Sequence, residues 1–587
     1  MRCAESCHHP LALKRLSMTK KVAKIIIETL QAAGVRRCYG IVGDTLNLIV
    51  HAIGESEIEW VHMRHEEAGA FAAQGEALLT GSLTAVAGSC GPGSLHFING
   101  LVEANRNRAP VIVIATQVTR DELGFDFPQE VDLKSIYSSC TVYCDMILTP
   151  GQARRKAVAA CQAALTKRGV AVLIVPVDIS HAETKDDHPF SVHHHVPVVR
   201  PNDTDLARAA EILNAGNRIV IYGGSGCFGA HDIILAVANR LKAPIARTSR
   251  AKDALEHDNP HDIGMTGLLG NPSAYHAVRD CDTLLLLGAN FAWGQFYPDH
   301  AKIVQIDLDP MHLGRRHPVT LGLVGDIDPT LTALLPLLGE KTDPGFRDHC
   351  VQRYAAIMAK EKEKAVDTGR DTISGIYLTE VVARHAAPDA LISSDDGTAI
   401  VWTLRYFPAN SQRRFFGSLL HGTMASAMPT ALGLQKCQPG RQVISLSGDG
   451  GLAMLLGDLL TAVQENLPIK VVVFNNGKLG FIDIEQKSEG LIPLHTHLQN
   501  PDFGKVAAAM GLWGRNVSKK SELEEAVAAW LSQPGPALLD VNVESMTLVM
   551  PPAIEFGPAY GMALYSARAV LHGQSHDLLE MVQQNFL

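Results

Sequence analysis

Two short apolar runs, each followed by polar residues, place the strongest constraint on the fold. Val443–Leu446 leads into Gly448-Asp449-Gly450-Gly451, and Ile469–Phe474 leads into Asn475-Asn476. Both runs predict buried parallel strands, and residues 453–466 between them predict a helix. The outcome is a β-α-β unit with both polar clusters at the carboxyl ends of strands, where open α/β sheets bind their ligands.

The residue types in these clusters suit a diphosphate held with a divalent metal. Asp449 offers a carboxylate and Asn476 a side-chain carbonyl, which are the hard oxygen ligands that Mg²⁺ takes. Gly448, Gly450 and Gly451 would let backbone N–H groups approach a phosphate without a Cβ in the way. Gly-Asp-Gly alone is also typical of an ordinary strand-to-helix turn, and it is the spaced Asn pair that favours a binding site.

Length and composition set the class of protein. At 587 residues the chain exceeds a single hydrophobic core, which predicts about three or four domains. A net charge of −9 without a basic stripe argues against a nucleic-acid partner. Eleven Cys, an odd number, favour reduced thiols and a cytoplasmic location. Residues 1–17 lack the apolar core of a signal peptide and are predicted to be a disordered extension.

Three segments alternate short apolar strands with Ala-rich helices, which predicts three doubly wound α/β domains with parallel sheets. They span residues 18–195, 202–338 and 350–545. Residues 546–587 depart from this pattern, because Pro551, Pro552, Gly557 and Pro558 interrupt the chain before helical spacing resumes at Met562. A C-terminal helical tail is therefore expected.

A second, distant motif supports a family resemblance. Asp449, Asn476 and the intervening glycines resemble the signature of thiamin-diphosphate (ThDP) enzymes, and Glu66, within Trp60–Ala73, matches the position of their catalytic glutamate. The resemblance implies that Glu66 binds N1′ of the aminopyrimidine and favours its imino tautomer. Taken alone, Glu66 would equally suit a helix N-terminus that complements the macrodipole, which is the role expected of Glu67.

The resemblance implies further ThDP and metal contacts. Mg²⁺ would be held by Asp449, Asn476 and the backbone carbonyl of Lys478. ThDP contacts are expected from Gly397, Thr398, Gly422, Thr423, Met424, Asp449, Gly450, Gly451, Asn476, Gly477, Lys478, Leu479, Gly480, Phe481 and Ile482.

The middle segment resembles the flavin-binding domain of pyruvate oxidases, which implies FAD. None of its glycine turns is a Gly-x-Gly-x-x-Gly dinucleotide signature, and the resemblance rests on their order along the chain. The implied FAD contacts are Gly226, Thr266, Gly267, Leu268, Leu269, Gly270, Asn290, Phe291, Ala292, Trp293, Gly294, Asp307 and Asp326.

Two reactions compete within this family. Acetolactate synthases also carry FAD and typically place a Trp shortly after the Asn pair, whereas residues 477–487 here contain none. Phe481 and Glu485 resemble the aromatic residue and the acid near the reacting centre of pyruvate oxidases. The resemblance therefore implies oxidative decarboxylation of pyruvate to acetate and CO₂ through a hydroxyethyl intermediate on ThDP, with acetolactate synthesis as the alternative. A non-catalytic scaffold is disfavoured because Glu66, Asp449 and Asn476 are all present.

The carboxyl terminus resembles the lipid-binding tail of bacterial oxidases that reduce a membrane quinone. This implies ubiquinone as acceptor and peripheral binding to phospholipid at the inner face of the cell membrane. Because ThDP enzymes assemble the cleft across two subunits, the family resemblance implies at least a homodimer and favours a homotetramer. Arg568 is the expected main cation, and a tail that packs on its own enzyme is the alternative. The expected apolar surface comprises Leu578, Leu579, Met581, Val582, Phe586 and Leu587.

One position departs from the oxidase pattern. Pro128 stands where these oxidases usually carry a Phe that lines the substrate pocket, and Phe127 could compensate. Substrate preference is therefore left open by the sequence.

Overall fold

A computed structural model describes residues 19–186, 189–366 and 371–545, together with positions 562, 564–566, 568, 569 and 578; at 364–366 it describes the backbone only. The chain divides into two compact units. One contains residues up to 194 apart from 74–79, and the other contains 74–79 and the residues from 195 onward. The predicted extension 1–17 and most of the tail lie outside the described residues.

The first domain contains a six-stranded parallel sheet with the order β3-β2-β4-β5-β7-β6, and a small antiparallel pair, β1-β8. Its strands are β1 (Thr19–Lys21), β2 (Arg37–Gly40), β3 (Glu59–His62), β4 (Thr84–Gly88), β5 (Val111–Gln117), β6 (Tyr143–Met146), β7 (Val170–Pro176) and β8 (Glu183–Lys185). Its helices are α1 (Val22–Ala32), α2 (Asn47–Gly54), α3 (Glu66–Thr80), α4 (Pro92–Leu95), α5 (Ile98–Arg106), α6 (Leu133–Tyr137), α7 (Ala153–Lys167) and α8 (Val177–His181).

The central domain has six parallel strands in the order β11-β10-β9-β12-β13-β14, which is the doubly wound order of dinucleotide-binding folds. Its strands are β9 (Ile219–Gly223), β10 (Ile245–Arg247), β11 (Asp262–Met265), β12 (Thr283–Leu287), β13 (Lys302–Asp307) and β14 (Leu321–Val324). Its helices are α9 (Asp203–Ala215), α10 (His231–Leu241), α11 (Lys252–Leu255), α12 (Pro272–Asp280) and α13 (Ile327–Leu334).

The third domain has six parallel strands in the order β16-β15-β17-β18-β20-β19, the same permutation as in the first domain. Its helices are α14 (Gly345–Val366), α15 (Gly375–His385), α16 (Thr398–Tyr406), α17 (Ala427–Cys437), α18 (Asp449–Met454), α19 (Leu459–Gln464), α20 (Gly480–Ser488), α21 (Phe503–Ala509) and α22 (Lys520–Leu531). Its strands are β15 (Leu391–Ser394), β16 (Arg414–Gly417), β17 (Val443–Gly448), β18 (Lys470–Asn475), β19 (Trp513–Val517) and β20 (Ala537–Asn542).

The central strands are apolar on both faces because helices cover both faces of each sheet. Every residue of β5 and β7 is buried, and Ile112 and Ile114 share a hydrophobic cluster with residues of α1 and α7. The predicted class, three doubly wound α/β domains, is confirmed. The described tail positions are helical, as expected from Met562 onward.

The single helix predicted over residues 453–466 is wrong. The chain becomes helical earlier, with Gly448 preceding α18, and the backbone then leaves helical geometry at Leu455 (φ −122°, ψ 29°). A short 3₁₀ turn over Leu456–Asp458 separates α18 from α19, and the Asp458 carboxylate accepts a hydrogen bond from Thr461 Oγ1 at 3.0 Å. The apolar spacing alone could not reveal this break.

In the described part of the chain, no helix is both long and apolar enough to cross a membrane.

Candidate active site

Glu66 opens α3, immediately beyond the carboxyl end of β3, and its side chain is buried. Its Oε2 lies 2.9 Å from His96 Nδ1, and its Oε1 faces Gly93, where an added Cβ would lie 3.4 Å from that oxygen. Gly91, at φ +66°, turns the chain so that Pro92 can start α4. The turn over Ser89–Gly93 thus lies against the predicted catalytic acid.

Two histidines complete the surroundings of Glu66. The rings of His65 and His96 stack with centroids 4.8 Å apart, and the His96 side chain is about half exposed. Glu67 accepts a hydrogen bond from Asn99 Nδ2 at 2.6 Å. The sequence patterns did not point to either histidine, although the position of His96 three residues after Gly93 was the available signal.

The third domain brings Asp449 to the segment that follows β18. Asp449 Oδ2 accepts from the Gly477 amide at 2.8 Å, and Oδ1 accepts from the Gly450 amide at 2.8 Å. Asn476 Oδ1 accepts from the Lys478 amide at 3.0 Å. The three predicted metal ligands therefore lie on two adjoining strand ends of one sheet.

Asn500, which the sequence patterns missed, holds this arrangement together. Its Nδ2 donates to Asp449 Oδ2 at 2.7 Å and to Asn475 Oδ1 at 2.9 Å. Asn475 in turn donates to the buried Asp540 at 3.0 Å, and Asp540 also accepts from the Phe503 amide. Side-chain amides thus fix Asn475, the first of the two Asn residues, and the carboxylate of Asp449, a predicted metal ligand, in one network.

Burial raises the pKa of Asp449 above its usual range, even though the amides of Gly450 and Gly477 and the Asn500 side chain lower it in part. In the described part of the chain, the hydrogen bonds that other residues donate to this carboxylate come from those three neutral donors. A buried carboxylate with neutral partners, close in the chain to an amide oxygen, is a donor set that fits Mg²⁺, which would supply the positive charge.

Three further turns converge on the start of α18. A Cβ on Gly450 would lie 3.1 Å from Met424 Cε and 3.2 Å from a Leu479 methyl, and a Cβ on Gly451 would collide with Asp395 Oδ2 at 2.0 Å. A Cβ on Gly480 would lie 2.9 Å from Asn476 Nδ2 and 3.2 Å from Thr398 Cγ2. The fold therefore brings together a large part of the predicted ThDP set.

The remaining predicted residues of this set are less enclosed. Gly422, at φ +69°, lies close to Asp396, and Thr423 Oγ1 donates to the Met424 carbonyl at 2.9 Å. Gly397, at φ +111°, allows the turn that starts α16. On α20, Phe481 packs against the hydrophobic core of the domain, whereas Ile482 and Glu485 are exposed.

In the central domain, glycine-rich turns follow β9 and β12, the two strands between which the strand order reverses. The Gly226 amide donates to the Gly288 carbonyl at 3.1 Å, and a Cβ on Gly226 would lie 2.7 Å from Gly288 Cα. A Cβ on Gly267 would lie 2.7 Å from the Phe291 ring. Leu268 and Trp293 are exposed beside these turns. Close backbone approach and exposed apolar side chains at the switch point fit a flat dinucleotide such as FAD.

The two predicted flavin-site acids differ in their surroundings. Asp307 ends β13 and its Oδ1 contacts His312 Nδ1 at 3.1 Å and the Asp309 amide at 3.0 Å. Asp326 precedes α13 and accepts from the Val199 amide at 2.7 Å, so it anchors the incoming chain. Asn290 accepts from Arg316 Nε at 2.9 Å.

Pro128, which stands where the oxidase pattern has a pocket-lining Phe, lies in the loop over residues 124–130. Glu130 accepts from the amides of Gly124 and Phe127, and Phe127 is 44% exposed. Gln129 has φ +69° and packs against Gly91, while its Oε1 lies 3.4 Å from Cys90 Sγ.

Comparison with known proteins agrees with this architecture. Residues 20–136 match the N-terminal TPP binding domain of thiamine pyrophosphate enzymes, 206–334 match their central domain, and 395–541 match their C-terminal TPP binding domain. Thiamine pyrophosphate is another name for ThDP.

Relatives extend along most of the chain. YdaP of Bacillus subtilis, whose name describes it as thiamine pyrophosphate-containing, is 33% identical over 95% of this chain and 98% of its own length. A pyruvate oxidase of Lactiplantibacillus plantarum is 29% identical over 91% of this chain and 90% of its own. The large subunit of acetolactate synthase isozyme 2 of Escherichia coli is 28% identical over 90% of this chain and 96% of its own length. The chain belongs to the thiamine pyrophosphate enzyme family.

Proposed function

We propose that this protein oxidatively decarboxylates pyruvate to acetate and CO₂ with ThDP, Mg²⁺ and FAD, and passes the electrons to ubiquinone at the membrane. The overall change is balanced: pyruvate and water yield acetate and CO₂, and the two electrons and two protons released convert the quinone to its quinol. The observation that carries the proposal is the glycine-lined switch point of the central domain, with Phe291 against Gly267, in a chain that also has the ThDP-site residues.

Within this proposal, the chain's own residues bind and orient the cofactors and hold a proton at the aminopyrimidine. When bound, ThDP supplies the electron sink for decarboxylation, and FAD accepts the electrons. Glu66 would hold a proton at N1′ of the aminopyrimidine, and its side chain is buried beside His96. Asp449, Asn476 and the Lys478 carbonyl would hold Mg²⁺, and Asn500 keeps the Asp449 carboxylate in place.

An assay with three alternative acceptors tests the reaction. Anaerobic protein loaded with ThDP, Mg²⁺ and FAD is given pyruvate with an artificial dye, a soluble ubiquinone or phosphate. We expect reduction of dye and quinone with acetate formed in equal amount, and no acetyl phosphate. Formation of acetolactate without reduction of the dye would contradict the oxidase proposal.

Acetolactate synthesis is the second candidate, supported by the relatives of that name that match most of the chain. The absence of Trp from residues 477–487 argues against it. The same assay, with acetolactate measured beside acetate, separates the two reactions.

Membrane docking by the tail belongs to the proposal as well. In the structure Arg568 Nη1 donates to the Gly490 carbonyl at 2.6 Å, and Tyr565 and Ala569 form a small buried cluster against which Leu578 packs. These contacts agree with the alternative that the tail packs on its own enzyme. Leu579, Met581, Val582, Phe586 and Leu587 lie outside the described residues.

Truncation separates these two roles of the tail. A chain ending before Pro558 should lose binding to phospholipid vesicles and reduction of membrane quinone, while dye reduction persists. Undiminished vesicle binding by the truncated protein would rule out the tail as the docking element. The proposed homotetramer can be measured in the same preparations by light scattering.

A further inference from the structure

We infer that Arg405 is a positioning residue for the flavin site, which it holds from the far end of the helix that starts at the ThDP site. The inference rests on the proposed use of FAD. Arg405 lies near the end of α16, in the third domain, whereas the turn it contacts connects β11 and α12 of the central domain.

Arg405 donates two hydrogen bonds to adjacent backbone carbonyls of this turn. Arg405 Nε donates to the Leu269 carbonyl at 2.9 Å, and Nη2 donates to the Gly270 carbonyl at 2.5 Å. A planar guanidinium fixes both the position and the direction of the two carbonyls, which a single point donor cannot do.

The turn that Arg405 contacts also contains Gly267, a residue of the predicted flavin site. Gly267, at φ +99°, lies against the Phe291 ring, and the Gly270 amide closes the turn on the Gly267 carbonyl at 2.8 Å. Met265 and Leu269 pack into the hydrophobic cluster of the third domain. A shift of the Leu269 and Gly270 carbonyls would therefore be passed to Gly267 and Phe291.

The helix that carries Arg405 is itself fixed at both ends. It starts at Thr398, beside Gly480 and Asn476, and nearly all of its residues are buried. At its last turn the buried Lys252 of the central domain donates Nζ to the Leu404 carbonyl at 3.0 Å. A cation at a helix C-terminus also complements the helix dipole. The helix α16 thus ties the flavin-site turn to the ThDP-site turn through one rigid element.

Amide hydrogen exchange in the FAD-free protein tests whether Arg405 stabilises the turn, without relying on catalysis. In Arg405→Met we expect exchange over residues 265–271 to accelerate about tenfold or more, because the turn loses two charge-assisted hydrogen bonds. Arg405→Lys should restore part of the protection. Arg441→Met is the matched control, since Arg441 Nε and Nη2 also donate to backbone carbonyls, those of Asp389 and Gln412, within the third domain.

Flavin titration provides the second readout. We expect the FAD dissociation constant to rise about tenfold in Arg405→Met and less in Arg405→Lys, and to stay within about twofold of wild type in Arg441→Met. Unchanged exchange over 265–271 in Arg405→Met, or an equal loss of FAD affinity in Arg441→Met, would overturn the inference. If wild-type protein bound no FAD, the proposed function would fail, and the exchange measurement would still decide whether Arg405 holds the turn.

Discussion

The first and third domains share one strand order, yet the residues at corresponding strand ends differ in chemistry. The corresponding strands β4 and β17 both lead into glycine-rich segments. After β4 the segment carries Ser89 and Cys90, whereas after β17 it carries Asp449, the first residue of α18, with neutral amides around its carboxylate. Topology thus selects the ligand-binding edge of a sheet, while a few side chains decide which part of a cofactor that edge can hold.

The catalytic acid expected in the first domain follows a different strand. Glu66 comes after the edge strand β3 and contacts His96, a group that can exchange a proton. Asp449 comes after a central strand, and in the described part of the chain its carboxylate accepts hydrogen bonds from neutral amides only. We therefore expect the two domains to divide proton handling from metal and diphosphate binding.

Removal of the metal-site carboxylate should have the largest effect. Asp449→Ala is expected to abolish binding of Mg²⁺ and ThDP, and with it all turnover, because the buried site loses its negative charge. Calorimetric titration of ThDP with Mg²⁺ measures the binding. Near-wild-type affinity would show that the third domain is not the metal-binding half.

Glu66→Gln should separate catalysis from binding. Turnover is expected to fall about 10²–10⁴-fold through loss of proton transfer, while the ThDP dissociation constant changes little. Glu67→Gln is the matched control, because the neighbouring Glu67 pairs with Asn99 instead. Full turnover in Glu66→Gln would remove the first domain from the chemistry.

Asn500→Ala tests whether the Asn500 side chain holds the Asp449 carboxylate in place for the metal. Without its hydrogen bond, the Asp449 carboxylate is less well oriented, and we expect Mg²⁺ affinity to drop about 10–100-fold. Asn516→Ala provides the control, since Asn516 donates to Asp540 rather than to Asp449. Equal losses in both variants would indicate general damage to the domain.

The smallest expected effect concerns Asp395, which follows β15. Burial raises its pKa to about 7, although the amides of Ala425 to Ala427 lower it in part. The folded state therefore keeps the Asp395 proton where the unfolded chain has lost it, and this contribution to stability is lost as pH rises from about 4 to about 7. Asp395→Asn, which has no such proton to lose, should gain about 2–4 °C in melting temperature relative to wild type on going from pH 5 to pH 8. An unchanged difference between the two proteins, measured by calorimetry without cofactors, would contradict this pKa.

The sequence allowed prediction of the elements whose environment is uniform. The strands β17 and β18 are buried along nearly their whole length, so their apolar runs stand out. Edge strands escaped prediction, because β6 is half-buried throughout and β14 alternates between buried and exposed positions. Short strands with one partner carry too few apolar residues to be distinguished from loops.

Among the site residues, too, some could be predicted from local sequence patterns and others could not. Asp449 and Asn476 were predicted because each directly follows a recognisable strand. Asn500 reaches Asp449 from 51 residues away, and Arg405 reaches Leu269 from 136 residues away. Such contacts depend on how helices and turns pack, which local patterns do not encode.

Reduction of the flavin by pyruvate in the absence of oxygen is the most direct test of the proposed chemistry. Protein loaded with ThDP, Mg²⁺ and FAD is mixed anaerobically with pyruvate, and the visible absorbance of oxidised flavin is followed with time. We expect rapid bleaching, with one acetate and one CO₂ formed for each FAD reduced, and recovery of the absorbance on addition of ubiquinone. Flavin that stays oxidised while pyruvate is consumed would contradict an oxidase.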